Sequence, residues 1–316
     1  MDAIARTREA LGTDIVRTPI VRCAGLEELL GDGTEVFGKL EFLQRTGTFK
    51  ARGALATVRA LSAEQRAAGV TAVSAGNHAV ATAFAARAAG THARVVMTAT
   101  ANPARVAACR AWGADIEFAD DVHAAFEMAN SIRESEGRYL VHPFEGPMVA
   151  CGTGTVGLEI CEDLEGIDAI VVAVGGGGLI GGIANAVRQL DPDIEVIGVE
   201  PDGADSMHRS FAAGRPVGID AVRTIADSLG APFALPYSFE LCRRFVARLV
   251  RVSDPDLREA MGVLFRRMRI AVEPACAAAA AALLGPLRVP LAGRRVVLVF
   301  CGSIIDWPAI AREAAL

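Results

Sequence analysis

Of the 32 basic residues in this 316-residue chain only two are lysines, Lys39 and Lys50. Arginine serves surface charge and ion pairing, but a guanidinium does not condense with an aldehyde, whereas a lysine amine does. Covalent amine chemistry therefore falls to one of two positions. Lys39 lies in the strand-like run FGKLEFL, where a lysine reads as a charge on a strand face. Lys50 follows Thr46-Gly47-Thr48-Phe49, a turn with Thr48 placed to cap a helix that begins there. A lysine in the first helical turn meets the positive end of the dipole, which favours the neutral amine a nucleophile needs. Position alone leaves a second reading open: a solvated lysine at a helix start.

Four further segments carry unusual chemistry. Val174-Gly175-Gly176-Gly177-Gly178-Leu179 follows an apolar run and opens a helix, where backbone N–H groups are free to meet a phosphate. The spacing Gly176-x-Gly178-x-x-Gly181, with Glu200 ending the next strand, also satisfies a dinucleotide fingerprint. Four consecutive glycines suit a monophosphate cup better, and Lys50 has no role in hydride transfer. Val73-Ser74-Ala75-Gly76-Asn77-His78 is a second anion-binding helix start, with side chains able to hydrogen-bond. On local grounds alone, an ordinary capped turn with a packed histidine is the favoured reading of that segment. Phe300-Cys301-Gly302-Ser303 ends the last apolar strand, and Glu273-Pro274 opens the alanine-rich segment before it. A small buried residue accounts for Cys301 locally, and a solvated one for Glu273.

These loops need strands and helices to hold them, and short apolar runs alternate with helical stretches throughout. Strands are expected at residues 35–39, 72–73, 94–97, 115–118, 169–174, 195–199, 247–252 and 295–300. Helices are expected at 49–61, 78–89, 103–112, 124–136, 154–163, 180–190, 255–269 and 275–284. That order predicts an α/β protein with functional loops at strand ends. Residues 169–187 carry no charge and approach a membrane-spanning length, but they hold six glycines and read as strand, turn and helix start. The net charge of −5 gives no basic field, so neither nucleic acid nor membrane is expected as a partner. Seven scattered cysteines without a CxxC pair argue against a disulfide framework and a structural zinc site. The start MDAIARTREALGTDIV lacks an apolar signal core, so a cytoplasmic location is expected.

The run KLEFLQRTGTFKARGA, residues 39–54, resembles the cofactor-lysine segment of fold-type II pyridoxal-phosphate enzymes. These are the serine/threonine dehydratases (threonine ammonia-lyases) and serine racemases, with a tryptophan synthase β-like fold. The other segments follow in the family's order, so the resemblance runs from about Thr18 to Asp306. It implies two doubly wound α/β domains, a large one from 1–53 and 149–316 and a small one from 54–148. It implies pyridoxal 5'-phosphate held by Lys50 as a Schiff base, with Phe49 packed near the ring. Gly175, Gly176, Gly177, Gly178 and Leu179 would grip the phosphate, Asn77 the ring hydroxyl, and Cys301 would face the ring nitrogen. Glu273 would order the site, and Ser74, Ala75, Gly76, Asn77 and His78 would embrace a substrate carboxylate.

The implied reaction is dehydrative deamination of a small-molecule β-hydroxy amino acid, L-threonine or L-serine, by a homodimer. Lys50, displaced by the substrate amine, would take the α-proton, and the product would hydrolyse to a 2-oxo acid and ammonia. Racemases of the family carry serine where this chain has Ala75, which cannot exchange a proton and so favours a lyase. A neutral Cys301 thiol makes the ring a weak electron sink, which favours prompt loss of a β-leaving group. Glu200 and Ala204 match a divalent-cation loop of the racemase branch, but Ser206 replaces its aspartate, so no tight metal site is expected. Thr153, Ser228 and Ile304 depart from the family's glutamine, glycine and asparagine, which points to an altered substrate end. With so little chain after Cys301, no feedback by a branched-chain amino acid is expected. The alternatives are another β-eliminase or a racemase on the same cofactor, and more distantly a nicotinamide dehydrogenase or a non-catalytic binding homologue.

Overall fold

β-branched and other apolar runs bury where parallel strands are covered on both faces, and they form ten strands among the described residues. A computed structural model describes residues 1–314 of the chain. In chain order the strands are β1 Ile20–Arg22, β2 Glu35–Leu40, β3 Val70–Val73, β4 Ala93–Thr98 and β5 Asp115–Ala119. They continue with β6 Tyr139–Leu140, β7 Ala169–Ala173, β8 Glu195–Pro201, β9 Arg248–Val252 and β10 Arg295–Phe300. A six-stranded sheet runs β1-β2-β10-β7-β8-β9, and a four-stranded sheet runs β5-β4-β3-β6. All pairings are parallel except β1 with β2, which is antiparallel with Ile20 opposite Lys39. Every strand of the smaller sheet falls between Val70 and Leu140, and every strand of the larger one lies outside that interval.

All eight expected strands form, with ends shifted by a few residues. β1 and β6 were not expected: at three and two residues they are too short to carry a period. The helix expected at 154–163 starts earlier and spans Pro147–Asp163. Its glycines disguise it as a turn. They are contact points: a Cβ on Gly152 would lie 2.6 Å from the Arg52 carbonyl oxygen, and one on Gly157 2.8 Å from that of Ile183. The helix can therefore pack against both Lys50–Ala60 and Gly178–Leu190 at backbone distance. The alanine-rich helix Pro274–Leu284 is buried between the strands and its neighbours, where small side chains permit close approach.

Lys39 is not an exposed strand-face charge. It is fully buried, and its Nζ donates to the Thr18 carbonyl and to Glu159, each at 2.7 Å. Beside it, the buried Arg52 donates to Glu41 (2.8 Å) and Glu159 (2.6 Å). Two basic and two acidic groups thus neutralise one another, and removing any one would strand a buried charge at about 3–5 kcal/mol. Arg52 lies in the helix that begins at Lys50, so this network fixes the base of that helix.

Candidate active site

The carboxyl ends of β3, β7 and β10 open on one cavity of about 300 Å³, the place where open α/β sheets bind ligands. Phe49, Lys50, residues 74–78, residues 175–179, Glu273 and Cys301 all line it. Segments as distant as Lys50 and Cys301 meet through backbone bonds. The Phe49 N–H donates to the Cys301 carbonyl at 3.0 Å, and the Ser303 N–H to the Gly47 carbonyl at 2.9 Å. The helix start differs from expectation. Phe49 is the capping residue, and the Thr48 hydroxyl lies 3.5 Å from the Lys50 N–H, at the edge of a hydrogen bond.

The Lys50 Nζ donates to the Pro143 carbonyl at 2.6 Å and stands 5.0 Å from the Phe49 ring centre. Burial lowers its pKa to about 8, against the opposing pull of Cys301 and Glu273. A substantial neutral fraction near pH 8 is what an amine nucleophile or base requires. Lys39, locked to Glu159, has no access to this cavity.

The glycine run is tightly enclosed. Gly177 has φ 87° at the cap of the helix Gly178–Leu190. A Cβ on Gly176 would lie 2.3 Å from the Phe144 ring, and one on Gly178 2.5 Å from the Phe144 carbonyl oxygen. With no side chains there, the helix start presents its unpaired N–H groups to an anion. Across the cavity, Asn77 Nδ2 donates to Glu273 (2.7 Å) and lies 3.3 Å from the Ser228 hydroxyl. Asn77 Oδ1 and Glu273 Oε2 are buried without a partner, an arrangement that calls for a polar ligand. Glu273 is itself buried rather than solvated, and burial pushes its carboxyl up to about 7 despite Arg105 nearby. The Cys301 thiol is held well above its ordinary range by its hydrogen bond with Cys276 and by burial, so it stays neutral.

The side-chain-free helix start at the glycine run, the lysine and the unsatisfied acceptors fit pyridoxal 5'-phosphate. The sequence profile described as "Pyridoxal-phosphate dependent enzyme" matches residues 11–302. The chain belongs to this family. This pyridoxal-phosphate dependent enzyme is 50% identical to a phenylserine dehydratase of Ralstonia pickettii, over 100% of this chain and 96% of that one. It is 36% identical to an L-threonine ammonia-lyase of Thermotoga maritima, over 99% of this chain and 77% of the relative. Maize serine racemase superposes with a TM-score of 0.93 at 31% identity, covering 99% of this chain and 96% of the racemase. The fold is therefore that of fold-type II pyridoxal-phosphate enzymes.

Several sequence expectations change in this enzyme. The His78 ring packs as a local reading allows: its Nε2 lies 2.8 Å from the Val141 carbonyl oxygen, which places the proton on Nε2. Burial, aided by Lys50, lowers its pKa to about 3, so the ring is neutral and packed. The Ser74 hydroxyl accepts from the Gly76 N–H at 3.0 Å and shapes the loop. Thr153 is not at a substrate end. It lies under the glycine run and donates to the Gly178 carbonyl at 2.8 Å. Ile304 packs against the Gly47 turn, 3.3 Å from where a Cβ there would stand, so of the three departures only Ser228 lines the cavity. Sequence reasoning missed Arg105, Asp227 and Phe144 as lining residues. No local signal marks them: Arg105 is one arginine among many, and its partners are distant in sequence.

In the structure Glu200 caps the helix that follows it. Its two carboxylate oxygens accept the Met207 N–H at 2.8 Å and the His208 N–H at 2.6 Å, at the start of the helix Ser206–Ala213. Burial pushes this carboxyl up to about 8. Ala204 and Ser206 are buried, and the Ser206 hydroxyl brings no negative charge where the resembling cation loop has an aspartate. Activity is accordingly expected to change less than about twofold after EDTA treatment and dialysis, since a hard cation needs several oxygen ligands. A large loss restored by Mg²⁺ or Ca²⁺ would contradict this role for Glu200. Among the described residues no helix is long and apolar enough to cross a membrane; residues 169–187 fall in β7 and the helix after it.

Proposed function

We propose that this enzyme carries out dehydrative deamination of a β-hydroxy amino acid, giving a 2-oxo acid and ammonia. The observation that carries the reading is the single cavity joining a pKa-lowered lysine, a glycine cup and an anion-binding helix start that has alanine at position 75. When bound, pyridoxal 5'-phosphate supplies an aldehyde for an amine and an electron sink at the substrate α-carbon. In this reading the N–H groups at Gly175–Leu179 hold its phosphate, while Asn77, Phe49, Glu273 and Cys301 surround its ring. The backbone of residues 74–78 holds the substrate carboxylate, which fixes the α-hydrogen towards Lys50. The neutral Lys50 amine takes that proton, the β-hydroxyl departs as water, and hydrolysis of the released product yields ammonia. Residues 54–148 act as the smaller domain, although the 53/54 boundary falls within the continuous helix Lys50–Ala60. A cytoplasmic homodimer is part of the same reading.

L-threonine and L-serine are the first substrates to test, with phenylserine beside them. The relative at 50% identity, a phenylserine dehydratase, supports an aryl side chain. Ammonia release from a panel of β-hydroxy amino acids tests the reading, and failure of every member removes it.

The racemase reading draws on the maize enzyme and is opposed by Ala75. A racemase delivers a proton to the face away from the lysine, and a methyl group carries none. L-serine is therefore expected to yield pyruvate at least about tenfold faster than D-serine, and Ala75→Ser to narrow that ratio. Chiral chromatography of the reaction decides: racemisation by wild type at the rate of elimination would overturn the lyase assignment.

A further inference from the structure

Arg105 lines the cavity, yet the proposed reaction gives it no task. Its side chain is 8% exposed and rises from the helix Pro103–Ala111, which packs on β5 and on the helix Asn77–Ala88 of the smaller sheet. Its polar partners lie instead on segments of the larger sheet. The guanidinium is paired with both Asp227 oxygens, donates to the Ile304 carbonyl at 3.1 Å, and lies 3.5 Å from the Ser228 hydroxyl. Glu273 Oε2, which has no hydrogen-bond partner, is 3.6 Å away. Three separate segments thus converge on one planar fork of five N–H donors, a geometry a lysine does not reproduce.

Two neighbours extend the bridge. Asn102, capping the same helix, donates through Nδ2 to Asp306 at 2.8 Å. A Cβ on Gly76 would lie 3.4 Å from Arg105 Nη1, so the Ser74–Gly76 turn rests against the guanidinium. The charge that faces the turn is therefore also the charge that ties the two sheets together at the cavity mouth.

We propose that Arg105 is a positioning residue, which sets the spacing of the two sheets across the cavity and so the place of the 74–78 loop. This rests on the reading above, in which that loop holds the substrate carboxylate. Arg105 acts through Asp227, Ser228 and the Ile304 carbonyl and touches no reacting atom. A loop displaced by about 1 Å costs on the order of 100-fold in rate, because orientation is lost.

The test compares Arg105→Ala, Arg105→Lys and Asp227→Asn with wild type, each loaded with cofactor. Arg105→Ala is expected to lower kcat/KM about 100-fold with a raised KM, while cofactor absorbance and Tm stay close to wild type. Arg105→Lys restores the charge without the fork and is expected to recover part of the loss; Asp227→Asn is expected to lose about tenfold. Amide hydrogen exchange, measured without substrate, is expected to quicken several-fold at residues 74–78 and 103–106 in Arg105→Ala. Wild-type KM and wild-type exchange in Arg105→Ala would overturn the proposal, as would a fall in Tm with kcat and KM unchanged. If Arg105→Ala fails to fold, Asp227→Asn decides by the same two measurements. If wild type deaminates no β-hydroxy amino acid, the functional reading fails, and the exchange comparison still judges Arg105.

Discussion

Lys50→Ala is expected to leave a folded protein with no measurable deamination and no covalently held cofactor. The amine is both the proposed anchor and the proposed base, and a positioned base alone contributes about 10²–10⁴-fold. Losing both roles together leaves nothing to take the α-proton. The cost to the fold is small by comparison. The Nζ makes one hydrogen bond, to the Pro143 carbonyl, and it sits in the cavity rather than in the packed core. Lys39 cannot substitute, because its Nζ is fully buried and paired with Glu159. Visible absorbance after addition of pyridoxal 5'-phosphate, followed by borohydride reduction and peptide mapping, checks this. A reducible adduct in Lys50→Ala would place the anchor elsewhere.

Gly178→Ala is expected to weaken cofactor binding at least about tenfold, with a stability loss of about 1–3 kcal/mol from overpacking. The new methyl would stand 2.5 Å from the Phe144 carbonyl oxygen and 2.8 Å from the Phe144 Cα. Both are backbone atoms, so relief requires the helix start or the 143–145 segment to move. Gly176→Ala also collides with Phe144, but with the ring, which a rotamer change can withdraw. Movement at residue 144 carries the Pro143 carbonyl with it, and that carbonyl orients the Lys50 amine. The lesion thus reaches phosphate cup and lysine together. Titration of the apoprotein with cofactor, read by absorbance and by Tm, measures both effects; wild-type affinity in Gly178→Ala would show that the cup tolerates a side chain.

The amino-acid sequence by itself determined the site's local parts. Strand, tight turn and helix start are contiguous signals, so Val73–His78 and Val174–Leu179 were legible as loops at strand ends that open helices. Scarcity narrowed the amine to Lys39 or Lys50, and the resemblance carried by residues 39–54 favoured Lys50. The apolar period exposed the eight longer strands, and it failed for β1 and β6 because two or three residues carry no period. The helix Pro147–Asp163 was cut short for the opposite reason: its glycines signal a break locally, whereas in three dimensions they are where two other helices approach.

The tertiary structure alone decided what the charged side chains do. Lys39 meets Glu159 and Arg105 meets Asp227 across more than a hundred residues of chain. Glu200 accepts two backbone N–H groups of the following helix, a partnership that its sequence neighbours do not announce. Thr153 looked like a substrate contact and lies beneath the glycine run. The physical reason is common to all four. A loop's backbone conformation is set within a few residues, whereas the protonation and use of a buried polar group depend on which partner the fold brings within about 3 Å of it.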